Sequence, residues 1–329
     1  MKIVLAGGSG QVGQILARDF AGSGDEVVVL SRGARAAVGR AVGWDGRSLG
    51  PWRAELDGAR AVVGLAGRSV DCRYTAANLQ RMLDSRVDSA RVVGEAIAQA
   101  ERPPAVWLQM STATIYAHRF DAPNDEATGI LGGGEPGAPA YWARSVEIAR
   151  RWEQAQDAAP ALATRKVALR AAIVMSPDRG GIFDVLSGLV RRGLGGRAGS
   201  GRQWVSWIHE RDFVRAVRFL IEREDLSGAV NLAAPGPLSN RDFMRALRAA
   251  LGMRIGLPAT KWMLEIGAFF LRTDTELLLK SRRVVPGRLA DAGFEFAFAD
   301  WPPACADLVA RWRAERSSGR GRRPPARVG

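Results

Sequence analysis

The sequence predicts an α/β fold: a doubly wound parallel sheet with a smaller, mostly helical C-terminal lobe. Three observations carry that expectation. Short apolar runs alternate with segments of helical period through the first half, the pattern of strands joined by crossover helices. A glycine triplet, Gly7, Gly10 and Gly13, follows the first apolar run and opens the first helical segment. Beyond Met175 the chain turns glycine- and arginine-rich and then helical, which reads as a second lobe. Together these describe a sheet of the Rossmann type.

Taken in order, Lys2 to Ala6 is a strand, Gly13 to Gly22 a helix closed by glycine, and Glu26 to Leu30 the second strand. A short third strand fits Ala41 to Trp44, a fourth Ala59 to Leu65, and a fifth Val106 to Met110. Between the last two, Leu79, Met82, Leu83, Val87, Val92, Val93 and Ile97 recur at helical spacing over Asn78 to Ala100. Arg144 to Gln156 is a further helix and Lys166 to Val174 a sixth strand. A loop region around one helix fits Gly180 to Gly201. Trp204 to Ile208 reads as a strand, His209 to Glu222 as a helix and Ala229 to Leu232 as a short strand. Asn240 to Leu251 is amphipathic, with Ser239 or Asn240 as its cap. From there to Trp312 the pattern is helical with Pro and Gly breaks, and no internal repeat is present. The expected organisation is therefore a nucleotide-binding domain over residues 1–235, with 175–205 contributing to the substrate lobe. A helical domain over 236–312 and a disordered basic tail over 313–329 complete it.

Composition narrows the class. A chain of 329 residues, 47% hydrophobic and 25% charged, is an ordinary globular protein. No stretch reaches the roughly 18 uninterrupted apolar residues of a membrane span. The nearest, Trp262 to Leu271, is short and carries Glu265, so no membrane partner is expected. Lys2 leads at once into a strand, unlike a signal peptide. Cys72 and Cys305 are the only cysteines and lie far apart, giving neither a disulfide framework nor a metal-ligand set. A cytoplasmic setting and no metal are expected. The formal charge is +13, yet only four basic residues are lysines, and residues 313–329 hold six arginines against one glutamate. That tail has no apolar face to bury and reads as solvated, so nucleic acid is not expected as a partner.

The glycine loop Gly7-Gly8-Ser9-Gly10-Gln11-Val12-Gly13 joins a buried strand to a helix. Its glycines permit a tight turn, close backbone approach to a pyrophosphate, and close helix–strand packing. Phosphates then sit on free N–H groups at the positive end of the helix dipole. NAD-specific sites end the second strand with Asp or Glu on the ribose 2′-OH. This chain has Ser31-Arg32 there, while Asp25 and Glu26 lie at the strand's other end. A guanidinium suits a 2′-phosphate, so the expected cofactor is NADP(H). Leu65-Ala66-Gly67 closes the fourth strand with small residues where backbone must approach the cofactor. Asp45 accepts either from the adenine amino group or from its own turn.

These residues resemble an identifiable group. The loop at 7–13, Trp44-Asp45, Leu65-Ala66-Gly67, Ser85-Arg86-Val87, Ser111-Thr112-Ala113-Thr114-Ile115-Tyr116 and Trp152-Glu153 occur in the same order in the "epimerase family protein" branch of atypical extended short-chain dehydrogenases/reductases. So do Gly195-Gly196-Arg197, Gly199-Ser200-Gly201-Arg202-Gln203, Ser206-Trp207-Ile208-His209 and Asn231-Leu232-Ala233-Ala234-Pro235. Pro286-Gly287-Arg288-Leu289 and Ala292-Gly293-Phe294 are similar to that group's C-terminal domain of unknown function. The resemblance implies NADP(H) held by Gly7, Gly10, Gln11, Val12 and Gly13 at the pyrophosphate and by Ser31 and Arg32 at the 2′-phosphate. Arg86 stands where related enzymes place an asparagine near the active site; it serves the cofactor or is a surface arginine.

Hydride-transfer enzymes of this superfamily use a Ser or Thr after the fifth strand and a Tyr-x-x-x-Lys on the next helix, where residues four apart share a face. The lysine lowers the tyrosine pKa so that the phenol can shuttle a proton. Here Thr112 matches the hydroxyl position with Ser111 beside it, and Tyr141 is the candidate tyrosine, but Ser145 follows it four residues on. Aligned from Trp152-Glu153 instead, the two slots hold Arg144 and Ile148. Without a cation nearby, forming tyrosinate at neutral pH costs roughly 4 kcal/mol; Arg144 is a candidate to supply that charge. His209 reads as structural and His118 as a loop residue. Two functions follow: an NADP(H)-dependent oxidoreductase or epimerase acting on an unknown small polar, sugar-like molecule, or a catalytically silent NADP(H)-binding regulatory or interaction protein. Oligomeric state is not readable from the chain.

Overall fold

The computed structural model describes residues 1–70, 72–136, 138–139, 141–259 and 276–319. The strands are β1 (Lys2–Ala6), β2 (Glu26–Ser31), β3 (Arg40–Gly43), β4 (Ala61–Gly64), β5 (Val106–Thr112), β6 (Arg165–Ala171), β7 (Ile173–Met175), β8 (Trp204–Val205), β9 (Trp207–His209), β10 (Gly228–Leu232) and β11 (Leu238–Ser239). The helices are α1 (Gln11–Gly22), α2 (Ala76–Ala98), α3 (Trp142–Asp157), α4 (Ile182–Arg191), α5 (Glu210–Glu222), α6 (Asn240–Leu251), α7 (Glu276–Leu279), α8 (Gly287–Asp291) and α9 (Trp301–Gly319). Seven strands form one parallel sheet in the order β10-β6-β5-β4-β1-β2-β3. The order reverses between β1 and β4, and a crevice opens there at the strands' carboxyl ends, where ligands bind in such sheets.

Alternation along the strands decides which helix lies on which face. Ile3, Leu5, Val27, Val29 and Val63 point to one side, against Ile15, Leu16 and Phe20 of α1 and Phe213, Val217 and Leu220 of α5. Val4, Ala6, Val28, Leu30 and Val62 point to the other, against Val92, Val93 and Ile97 of α2 and Trp152 of α3. Both faces are dry, so the strands read as continuous apolar runs. A third cluster unites α4, α6 and α9 around Phe183, Trp207, Phe243 and Trp301, which forms the second lobe. Ser239 caps α6 by accepting from the Asp242 N–H (3.1 Å), and Gly252 ends it in the left-handed conformation.

Two expected strands divide. The stretch Lys166 to Val174 breaks at Ala172, whose N–H donates to the Leu232 carbonyl, and β7 leaves the main sheet to pair with β9. Trp204 to Ile208 breaks at Ser206, whose side chain donates to the Arg282 carbonyl (2.7 Å) and accepts from the Val284 N–H (2.8 Å). β8 then pairs with β11 and β9 with β7. The disordered tail expected from residue 313 is also corrected, because α9 continues to Gly319. Arg313 donates to the Leu251 carbonyl (3.1 Å), while Arg316 lies over Trp312 and pairs with Asp184. Residues 320–329 and the apolar stretch Trp262 to Leu271 lie outside the described residues. Among the described residues no helix is long and apolar enough to cross a membrane.

His209 is fully enclosed, stacked on Phe298 at 4.0 Å. Its Nδ1 accepts from the Arg211 N–H (3.1 Å) and its Nε2 faces Asp307 (3.1 Å). Burial lowers its pKa, against a partial upward pull from Asp307. The unfolded chain therefore takes up a proton first as pH falls through about 6.5, and stability drops from there toward the lower folded-state value. That share of the slope is at most about 1.4 kcal/mol per pH unit. Urea unfolding midpoints should fall less steeply on acidification in His209→Gln than in the wild type; identical pH profiles would show that His209 titrates as in the unfolded chain.

Candidate functional site

The glycine loop lies at the crevice between β1 and β4. Gly7 adopts φ +87°, and a Cβ there would meet the Ala66 Cα at 2.6 Å. At Gly13 a Cβ would meet the Gly8 carbonyl oxygen at 2.3 Å. Gly10 is different: nothing lies within 4 Å of its Cβ position. Two glycines thus let backbones touch, and the third leaves space open in front of α1. The amino end of α1 carries no side-chain cap and no acidic residue in its first turn, so its dipole is unopposed there. Val12 packs its side chain toward the core under the helix, which leaves its backbone as the part it can offer. The Gln11 side-chain nitrogen is buried without a hydrogen-bond partner among the described residues and lies against Gly181.

At the end of β2 the Ser31 hydroxyl is buried and engaged in its own loop, accepting from the Arg35 N–H and donating to the Arg35 carbonyl, both at 3.0 Å. Ser31 therefore shapes the loop instead of presenting a free hydroxyl. Ala34 is held at φ +47° within that loop, a conformation that costs an alanine about 1 kcal/mol. Arg32 projects outward, and no carboxylate pairs with Arg32 or Arg35 among the described residues. Arg35 lines a cavity of about 360 Å³ together with Gly8, Ser9 and Gln14. Sequence reasoning missed Arg35; its signal is a second arginine three residues beyond the first.

Asp45 resolves toward its turn. Its carboxylate accepts from the Ser48 hydroxyl and the Ser48 and Arg47 N–H groups, which hold its pKa down at about 2. Leu65 closes onto β1 through its N–H to the Ala6 carbonyl (2.7 Å), Ala66 touches Gly7, and a Cβ on Gly67 would meet the Arg86 guanidinium at 3.2 Å. Arg86 is thus half-buried. Its guanidinium lies 4.9 Å over the Trp152 ring and donates to the Met82 carbonyl (3.1 Å), and burial pushes its pKa down to about 10.

At the end of β5 the two hydroxyl residues face opposite ways, as neighbours in a strand must. Ser111 is buried and donates to Glu153 (2.6 Å); Glu153 grips Arg170 through two bonds (2.9 and 2.8 Å). Arg170 donates to the Tyr116 hydroxyl (3.0 Å), which donates to Asn231 (2.9 Å). Ser111 therefore belongs to a hydrogen-bonded network built around the Glu153–Arg170 ion pair. Thr112 is half-buried, and its oxygen accepts from the Thr114 N–H (3.2 Å), which leaves its proton to donate. Tyr141 caps α3 at 36% exposure. Arg144 is turned to solvent and pairs with Glu147 at 2.7 Å, away from the role expected of it.

A cation does reach this region from far along the chain. Ser145, four residues after Tyr141, donates to Glu276 (2.6 Å), and Glu276 pairs with the fully buried Lys280 (3.5 Å). Lys280 also donates to the Thr114 carbonyl (2.9 Å), and Arg282 donates to the Thr114 hydroxyl (3.2 Å). Burial lowers the pKa of Lys280. His118 accepts through Nδ1 from the Ser281 N–H (2.7 Å) and so ties its loop to this segment. Sequence reasoning missed Glu276, Lys280 and Arg282; the available signal was the i, i+4 spacing of Glu276 and Lys280 in a chain with few lysines. Among the described residues no group of His, Cys, Asp and Glu is arranged to hold a metal ion.

The profile of the NAD dependent epimerase/dehydratase family matches residues 3–233. The chain belongs to this family. A second profile, a domain of unknown function (DUF1731), matches residues 259–308. The epimerase family protein SDR39U1 of Bos taurus is 30% identical over 314 residues, covering 94% of this chain and all of the relative. YfhF, an epimerase family protein of Bacillus subtilis, is 27% identical over 315 residues. The crystal structure of human epimerase family protein SDR39U1 with NADPH superposes with a TM-score of 0.81 at 27% identity, covering 94% of this chain and 99% of that one. A nucleoside-diphosphate sugar epimerase of Corynebacterium glutamicum gives a TM-score of 0.73 at 25% identity, over 99% of this chain and 62% of that one.

The Glu153–Arg170 pair is nearly enclosed, with side chains 13% and 11% exposed. Removing one partner leaves the other charge buried, at a cost of about 3 kcal/mol or more. Glu153→Gln should lower the urea midpoint accordingly, and Glu153→Leu combined with Arg170→Met should cost less than the two single changes summed. Strict additivity in that cycle would show that the pair is not coupled.

Proposed function

We propose that the chain is an NADP(H)-dependent oxidoreductase of epimerase type acting on a small polar, sugar-like molecule in the crevice between the lobes. The observation that carries the reading is the open face at Gly10, in front of an uncapped helix end and between two glycines that pack backbone on backbone. This is the cradle a pyrophosphate fills, and the buried, unpartnered Gln11 nitrogen beside it fits a phosphate or ribose oxygen. Gly7, Gly10, Gln11, Val12 and Gly13 would hold the pyrophosphate through backbone N–H groups. Arg32, joined by Arg35, would hold the 2′-phosphate, on a loop that Ser31 keeps in shape. Small residues at Leu65-Ala66-Gly67 leave backbone free to line the nicotinamide half. Two free cysteines and the NADPH-bound human relative agree with a cytoplasmic NADP(H) protein.

When bound, the nicotinamide supplies a hydride donor or acceptor. The chain's part is to orient the substrate and move a proton. Thr112, with its lone pair held by the Thr114 N–H, donates its hydroxyl proton to a substrate oxygen and fixes it in place. Tyr141, at the head of α3, is the proton carrier. A second reading, a silent NADP(H)-binding regulatory protein, is favoured by Ser145, which stands in the lysine slot and is bound to Glu276. NADPH consumption against a panel of carbonyl compounds separates the two. Turnover that is lost in Thr112→Val and Tyr141→Phe supports the enzyme; binding without turnover across the panel supports the silent protein.

Two variants test the cofactor site itself. Gly10→Ser places a favoured residue at the helix cap, so thermal stability should hold or rise while NADPH affinity falls at least about tenfold. An unchanged affinity would remove the pyrophosphate from that space. Arg32→Asp should weaken NADPH selectively and leave NADH nearly unaltered; equal losses for both would place the 2′-phosphate elsewhere.

A further inference from the structure

We infer that Arg86 holds an anionic group of the substrate, a carboxylate or a phosphate, at the carboxyl end of the sheet. This rests on the oxidoreductase reading above and assigns Arg86 to the substrate instead of the cofactor. The position follows from the sheet. β4 and β5 are parallel neighbours; Gly67 follows the carboxyl end of β4 by three residues, and Thr112 closes β5 at that same end of the sheet. The Arg86 guanidinium rests on Gly67, and so stands at the edge where ligands bind in such sheets.

The charge of Arg86 is what calls for an anion. Among the described residues its contacts are the Met82 carbonyl, the Trp152 ring and Gly67, and no carboxylate pairs with it. Arg86 is half-buried, and holding a guanidinium partly out of water without a counter-ion is unfavourable unless a ligand supplies one. Packing on Trp152 fixes the plane of the guanidinium, which favours two-pronged recognition of a carboxylate or phosphate. The surroundings add positive potential. Lys280 and Arg282 both bind Thr114, two residues beyond Thr112. Glu276 opposes Lys280, and Glu135 is held by the N–H groups of His118 (2.6 Å) and Gly133 (2.7 Å).

The test is calorimetry on the full chain saturated with NADP+, titrated with malonate and with inorganic phosphate against chloride at matched ionic strength. Saturating cofactor fills the 2′-phosphate site, so binding there does not contribute. Saturable binding of either probe is expected, weakened at least about tenfold in Arg86→Gln and less in Arg86→Lys, with NADP+ affinity within about twofold in both. Tighter malonate identifies a carboxylate and tighter phosphate a phosphate ester. No binding above chloride, binding unchanged in Arg86→Gln, or a loss of NADP+ affinity in that variant would overturn the assignment. Should Arg86→Gln lower thermal stability, Arg86→Lys carries the decision: weakened anion binding is expected in it, and unchanged binding overturns the assignment. Failure of the wild type to take up NADP+ would defeat the cofactor reading instead, and titration of the free chain would still report on Arg86.

Discussion

The structure depends on backbone touching backbone at the head of the first crossover. Gly13 of α1 packs on Gly8 of the loop, and Gly7 packs on Ala66 after β4, at separations that leave no room for a methyl group. Those two contacts set how closely α1 approaches the sheet and where the amino end of the helix points. They also fix the end of β4, and with it Gly67 and the seat of Arg86. The open space at Gly10 exists because its neighbours in the loop are pinned on either side. A site for phosphate is thus a by-product of how this chain closes its first βαβ unit.

A second constraint holds the far side of the crevice. The chain Ser111–Glu153–Arg170–Tyr116–Asn231 links β5, α3, β6 and β10, with charge-assisted bonds at Glu153 and Arg170, in a nearly dry setting. Asn231 continues it, donating its backbone N–H to Glu126 and its side-chain amide to the Val285 carbonyl. The C-terminal segment is thereby fastened to the sheet just where it delivers Lys280 and Arg282 to Thr114 and Glu276 to Ser145. Such a network makes the position of Thr112 a property of the whole domain, in keeping with a site that must hold small distances.

What could be read from the sequence is what local rules govern. The strand–glycine–helix unit and the cap at the head of α6 depend on residues a few places apart, and each formed as expected. Arg86 was ambiguous because its burial comes from Trp152, on another helix. Ser111 and Thr112 look equivalent in the sequence, and only the strand's alternation and a carboxylate 42 positions away separate them. Lys280 lies 166 positions from the carbonyl it binds, so no spacing rule connects it with the missing lysine slot. The breaks at Ala172 and Ser206 have the same origin: partners distant in sequence draw the chain out of a strand that its own residues would continue.

The central claim is that the glycine loop and the loop after β2 together hold a phosphorylated dinucleotide. Calorimetric titration of the unaltered chain with NADPH and with NADH tests it most directly. The account predicts saturable binding of both, with NADPH tighter by about tenfold or more. Equal affinities, or tighter NADH, would contradict it.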